Sequence, residues 1–169
     1  MNEHRVTGAM IGSLLFFALV PVTIAGLIPF WLTGWRVAGP FLEAPVLPVT
    51  GVFMIVAGLG SLLESFARFV LVGHGTPAPV APPTCLVVSG QYRHVRNPMY
   101  VAILVIVVGQ GLVLGSVALL YYTGLLWFFF YVWVIIYEEP ALGSQFGVSY
   151  RVYRENVRRW WPRLRPWDA

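Results

Sequence analysis

Apolar residues fall into four long runs along this chain, separated by short polar stretches. The runs extend from about Ala9 to Leu32, Val46 to Val72, Met99 to Gly115 and Val117 to Tyr137. A helix needs roughly 20 mainly apolar residues to cross a bilayer. Within lipid, open chains satisfy their backbone groups only as helices. The runs therefore predict an all-α integral membrane protein, a bundle of about four transmembrane helices in one domain over residues 1–169. The third run is short, and the tight Gly115-Ser116 turn joins it to the fourth as a hairpin. The first run outlasts the apolar core of a signal peptide, about 7–15 residues, and no small-x-small cleavage site follows it. It reads as a retained helix kinked at Pro21 and Pro29.

The polar stretches set the orientation. Arg5, Arg68, Arg93, Arg96 and the C-terminal Arg151, Arg154, Arg158, Arg159, Arg163 and Arg165 fall on one side of such a bundle, with Arg36 on the other. The positive-inside rule places the arginine-rich side, both termini included, in the cytoplasm. The expected location is thus the plasma (inner) membrane, with a cytoplasmic loop 73–98 and a cytoplasmic tail 138–169. Pro77, Pro79, Pro82 and Pro83 make the first part of that loop stiff and extended. In the tail, Tyr150, Tyr153, Val157, Trp160 and Trp161 recur at spacings of three or four, with Trp161 adjoining. That pattern predicts a C-terminal amphipathic helix on the cytoplasmic side.

Composition sharpens this picture. Hydrophobic residues make up 58% of the chain and charged residues 11%, with a mean hydropathy of +0.74. A soluble domain carries about 25% charged residues, so an ordinary soluble enzyme, a disordered chain and a collagen-like fibre are excluded. The net charge of +4 is carried by arginine and follows membrane topology, so it gives no nucleic-acid signature. The single Cys85 excludes an internal disulfide and a cysteine-based metal cluster. No metal-ligand spacing is present, and His4 and His74 read as solvent-facing.

Candidate chemistry gathers at the cytoplasmic ends. In Tyr92-Arg93-His94-Val95-Arg96-Asn97-Pro98-Met99-Tyr100, Asn97 suits a helix N-cap and Pro98 the first helical position. Free N–H groups beside Arg93 and Arg96 make an anion site, which His94 is placed to join. The same residues also read as a capped helix with interfacial arginines. Glu138 and Glu139 close the fourth run. Adjacent helical residues point about 100° apart, so one carboxylate is expected to face a pocket and the other to pair with an arginine. Glu64 and Arg68 form an i, i+4 pair inside the second run. Gln110 needs a polar partner inside the third. Gly8-xxx-Gly12 and Gly111-xxx-Gly115 permit close helix contact.

Together these blocks resemble the isoprenylcysteine carboxyl methyltransferase family, itself similar to the phospholipid N-methyltransferases. Gly75-Thr76-Pro77-Ala78-Pro79 is similar to the proline loop of its bacterial members. Gly90 to Tyr100 matches the block of arginine, His or Asn, Pro, any residue and Tyr. A hairpin, the Glu138-Glu139 pair and then Phe146, Gly147, Tyr150, Tyr153, Val157, Arg159 and Pro162 follow at the family's spacings. Asn97 stands where the eukaryotic enzymes have His, and Ala102 where they have Gly, which fits the bacterial branch.

The resemblance implies S-adenosylmethionine as cofactor and a hydrophobic acceptor from the bilayer, an isoprenoid or prenylcysteine carboxylate or something lipid-like. It implies a cofactor-binding set of Arg93, His94, Arg96, Asn97, Pro98, Tyr100, Gln110, Glu138, Glu139, Tyr150 and Tyr153. Arg96 and the helix start suit the donor carboxylate, and Glu138 or Glu139 its ammonium or ribose. Arg159 is expected to orient the acceptor, with Glu64 or Glu139 as base. Two other readings remain open on the residues alone. One is an NADPH-dependent membrane reductase of sterol-reductase type; the other is a lipid-binding membrane scaffold.

Overall fold

The computed structural model describes residues 19–39, 44–72 and 85–168. Among the described residues the regular elements are helices, with no strand. Helix α1 is Leu19–Thr33, interrupted by a π turn at Thr23–Leu27 that lies between Pro21 and Pro29. Helix α2 is Val46–Leu71, α3 is Pro98–Leu114 and α4 is Val117–Trp133. A π turn, Val134–Glu138, carries α4 into α5, Glu139–Asn156. A short 3-10 turn, Gly90–Arg93, precedes α3. These elements reproduce the second, third and fourth runs to within a residue or a few. Residues 9–18 of the first run, Gly8, Gly12, Arg5, His4, His74 and the proline loop 73–84 lie outside the described residues.

Two stretches, Val46–Phe69 and the helical run from Val117, are long and apolar enough to cross a membrane. α1 and α3 are shorter apolar helices. The core lies where the helices meet, in Leu62 and Phe66 of α2, Ala102, Ile103, Ile106 and Val107 of α3, and Leu119, Leu126 and Phe130 of α4. The outer faces are apolar too. Val49, Val52, Phe53, Val56 and Leu63 of α2, and Tyr121, Leu125, Phe128 and Phe129 of α4, are exposed.

α2 and α3 pack backbone to backbone. A Cβ built on Gly51 would stand 2.5 Å from the Gly109 carbonyl oxygen, and one on Gly109 would stand 2.7 Å from that of Gly51. Gly111 and Gly115, whose spacing suits close contact, sit in the α3–α4 hairpin. Gly111 makes a close helix contact, against Leu120 and Leu119 of α4 within the hairpin. Gly115 is the left-handed C-cap of α3, with φ of 66° and the Gly39 carbonyl where a side chain would go.

Proline shapes the other end of the hairpin. Pro140 has no N–H to give the carbonyl four residues back, and the widened turn Val134–Glu138 comes just before it. α5 bends again at Gly147, which has φ of 53°.

The predicted tail helix stops early. Val157 is extended and residues 157–168 form a non-helical strap containing Pro162 and Pro166. Proline disfavours helix both at its own position and at the residue before it. Trp160 and Trp161 therefore do not continue the helical face of Tyr150 and Tyr153. The strap pairs with the loop that precedes α3. The amides of Arg96, Arg163 and Trp167 donate to the carbonyls of Arg158, His94 and Arg93 at 2.9, 2.9 and 3.0 Å.

Candidate functional site

Where the strap crosses the start of α3, four charged side chains from three segments come together. Glu139 is buried and held by two guanidiniums. Arg159 donates from Nε to its Oε1 at 2.7 Å and from Nη2 to its Oε2 at 3.0 Å. Arg96 donates from Nη1 to Oε1 at 2.9 Å. Burial opposes the charge on Glu139, but the Arg159 hydrogen bonds and the nearby Arg96, Arg159 and Arg154 hold its carboxyl below the usual range. The hydrogen bond to Glu139 likewise raises the pKa of Arg159. The Arg159 guanidinium also lies 5.8 Å from the centre of the Tyr131 ring. A two-cation, one-anion group of this kind carries one surplus positive charge.

Glu138 sits differently. It accepts a hydrogen bond from the Tyr100 hydroxyl at 2.8 Å. Burial pushes its carboxyl above the ordinary range, with the neighbouring Glu139 adding to the rise and Tyr100 and Arg96 opposing it. One of the twin carboxylates pairs with arginine, and it is Glu139; Glu138, expected to face a pocket, meets the Tyr100 hydroxyl and lines neither cavity described below.

Aromatic side chains enclose the group. The Tyr100 ring lies 4.6 Å from Phe130 and 6.4 Å from Trp160. The Tyr150 hydroxyl is 3.4 Å from Arg96 Nη1, and Tyr153 donates to the Tyr92 carbonyl at 2.7 Å. Burial raises the phenol pKa of both Tyr150 and Tyr153, so both keep their protons. Trp160 Nε1, Arg96 Nε and the Tyr92 hydroxyl are buried without a hydrogen-bond partner among the described residues. On its other side, Tyr100 borders a narrow apolar cavity of about 40 Å³, shared with Pro21, Leu62, Phe66, Ile103 and Phe130.

Several expected members stand elsewhere. Asn97 occupies the N-cap position and Pro98 begins α3, but the Asn97 amide does not cap the helix; it donates to the Arg159 carbonyl at 3.2 Å. That bond anchors the strap beside Glu139. Arg93 donates to the Trp167 carbonyl and pairs with Asp168, and His94 Nδ1 lies 2.8 Å from the Arg163 carbonyl, so this nitrogen carries the proton. Both residues fasten the strap and are not drawn into the Glu139 group. Glu64 pairs with Arg68 at 2.8 Å beneath the Gly90 loop. Gln110 donates to the Ala25 carbonyl at 2.6 Å, about 18 Å along α3 from Pro98 at 1.5 Å per residue.

Trp160 and Tyr131 join the site without a signal in the sequence. Trp160 directly follows Arg159, but its spacing from Val157 suits a helical face. Tyr131 sits in a run of aromatics where no single position stands out.

No solved structure matches this chain. A stretch of 73 residues, 43% of the chain, is 40% identical to the protein-S-isoprenylcysteine O-methyltransferase of Schizosaccharomyces pombe. The stretch spans 30% of that relative's length. This agrees with the resemblance that the Gly90–Tyr100 and Glu138-Glu139 blocks carry. The phospholipid methyltransferase family profile matches residues 46–149, which is more than half of the sequence and includes α2, the α3–α4 hairpin and both glutamates, and on that match the chain belongs to the phospholipid methyltransferase family.

Proposed function

We propose that this chain is a membrane methyltransferase that uses S-adenosylmethionine to methylate a hydrophobic acceptor drawn from the bilayer. The observation that carries the reading is the imbalance of charge around the twin glutamates. Arg96 and Arg159 share one carboxylate, while Glu138 has a tyrosine hydroxyl in place of a cation. One spare positive charge beside one spare negative charge matches the zwitterionic amino-acid end of the donor. Arg96 and Arg159 would hold its carboxylate, a charge-assisted contact suited to guanidinium. Glu138 would hold the ammonium. The unpartnered N–H groups of Trp160 and Arg96, with Tyr100 and Tyr150, would face its remaining polar atoms. When bound, the donor supplies an electrophilic methyl group on a sulfonium.

The protein's own part is binding, orientation and exclusion of water. Alignment of two reactants in a dry site is worth about 7–11 kcal/mol of barrier. Tyr100 joins the two halves: its hydroxyl meets Glu138, and its ring borders the apolar cavity between α1, α2, α3 and α4. Glu139, committed to two arginines, is a structural centre in this reading and not a base.

The whole chain, residues 1–169, is read as one domain with four spans. The fourth ends at Tyr137, and loop 73–98, tail 138–169 and both termini are cytoplasmic. The exposed apolar faces of α2 and α4 support insertion, because contiguous apolar surface of that extent is rare on soluble monomers. The relative from Schizosaccharomyces pombe favours a prenylcysteine-like carboxylate among the acceptors, and the family favours a phospholipid.

The test is transfer of labelled methyl from the donor into a total membrane extract. Wild-type protein is expected to label a lipid-soluble product. Glu138→Gln at limiting donor should cut the label at least tenfold, since a hydrogen bond to a charged group contributes about 1.5–3 kcal/mol. Folded wild-type protein that labels nothing, or a Glu138→Gln variant as active as wild type, would defeat the proposal.

A further inference from the structure

A second cavity, of about 560 Å³, opens beside the last turn of α2. Arg68, Val88, Ser89, Gly90, Arg93 and Asp168 line it. None of these side chains belongs to the Arg96–Glu139–Arg159 group or to the Tyr100–Glu138 pair. Its size is that of a small-molecule pocket, roughly 300–1,000 Å³.

Three features give it a chemistry. Two guanidiniums, from Arg68 and Arg93, face one space, a placement that asks for an anion between them. The Ser89 hydroxyl oxygen is buried beside them and has no hydrogen-bond partner among the described residues. The acid that now meets Arg93 is Asp168, whose side chain is 86% exposed. An ion pair open to solvent in this way is weak and readily exchanged for another anion. Glu64 takes the Arg68 Nε at 2.8 Å, packed directly beneath Gly90 where a side chain would have to go, so Arg68 meets an anion in the cavity with the rest of its guanidinium.

We propose that this cavity binds a phosphate group. Arg68, Arg93 and the Ser89 hydroxyl would donate to its oxygens, and Asp168 is the anion it displaces. Donors arriving from three separate side chains suit a tetrahedral oxyanion better than a planar carboxylate, which one guanidinium fork satisfies. The phosphate could belong to a lipid headgroup or to a soluble phosphomonoester. The recognition is the same in both, and neither involves the methyl donor.

Calorimetry on the full chain in neutral detergent tests this, with dihexanoyl phosphatidic acid and glycerol 3-phosphate as probes. At least one probe should bind saturably. Binding of the lipid alone assigns the site to a headgroup, and binding of glycerol 3-phosphate alone or of both assigns it to the phosphate itself. Arg93→Gln and Arg68→Gln should each weaken binding at least tenfold. Asp168→Asn should tighten it several-fold, a gain that misfolding cannot produce. The proposal falls if neither probe binds protein that melts cooperatively with full helical signal, or if all three variants bind like wild type. Because no donor is added, these outcomes are independent of the methyltransferase reading.

Discussion

The crossing of α2 and α3 and the cytoplasmic cap over α3 are two joints of one molecule, built on opposite principles. At the crossing, Gly51 and Gly109 bring two backbones within van der Waals contact, with Ile55, Gly58 and Ile106 beside them. At the cap, Arg96, Asn97, Glu139 and Arg159 are joined by charge-assisted and backbone hydrogen bonds from segments far apart in the chain. The first joint tolerates no added atom. The second is held by charge, with two guanidiniums on one carboxylate and one positive charge left over.

The largest expected effect is at the crossing. Gly109→Leu must push a Cβ into the Gly51 carbonyl and Ile55, and overpacking of this severity belongs with the losses above about 4 kcal/mol. The variant should fail to elute as a monodisperse species in detergent. Gly60→Ala is the control: nothing lies within 4 Å of a Cβ there, so its melting should match wild type or exceed it.

At the cap, Glu139→Gln leaves Arg96 and Arg159 facing each other without their carboxylate. Removing one partner of a buried ionic group costs about 3–5 kcal/mol, which thermal unfolding should register. The pH dependence has a definite sign. The folded carboxyl titrates below its ordinary value, so its stabilisation is complete above that ordinary range and is lost as pH falls through the lowered folded value. Glu139→Gln should remove that part of the acid limb.

Smaller losses should follow from single neutral hydrogen bonds. Tyr153→Phe strands the buried Tyr92 carbonyl, and Asn97→Ala releases the strap at Arg159; each should cost about 1–3 kcal/mol. Smallest is the Glu64–Arg68 pair, whose side chains are 31% and 41% exposed. A double-mutant cycle with both residues changed to Gln should return a coupling of about 0.2–1 kcal/mol.

The two joints also differ in how far the sequence reveals them. Helix ends within apolar runs are local properties, which is why Val46, Pro98 and Val117 open helices where the pattern put them. Contact between helices is less local. Gly111 and Gly115 have the spacing for close packing, but the α2–α3 contact runs through Gly51, Gly58 and Gly109, because spacing within one helix does not reveal which face meets a neighbour. The cap depends on long-range pairing. Helical geometry separates Glu138 from Glu139 in direction, but which of them takes the arginines depends on where Arg96 and the strap residue Arg159 come to lie. Glu64 and Gln110 stand out in the sequence as polar positions within apolar runs; the fold gives Arg68 to one and the Ala25 carbonyl to the other, while Glu64 Oε2 and Gln110 Oε1 have no partner among the described residues. Tyr150 and Tyr153 keep the helical spacing that the tail suggested, while Pro162 and Pro166 were the available sign that Trp160 and Trp161 would leave it.

The central claim is that the charges left over at the cap bind a methyl donor. Titration of S-adenosylhomocysteine into purified protein, followed by heat, tests it most directly. Wild type should bind saturably, and Arg96→Ala and Glu138→Gln should each weaken binding by at least about 1.5 kcal/mol, or tenfold. A folded wild-type protein that gives no saturable heat with this nucleoside, but does with NADPH, would contradict it.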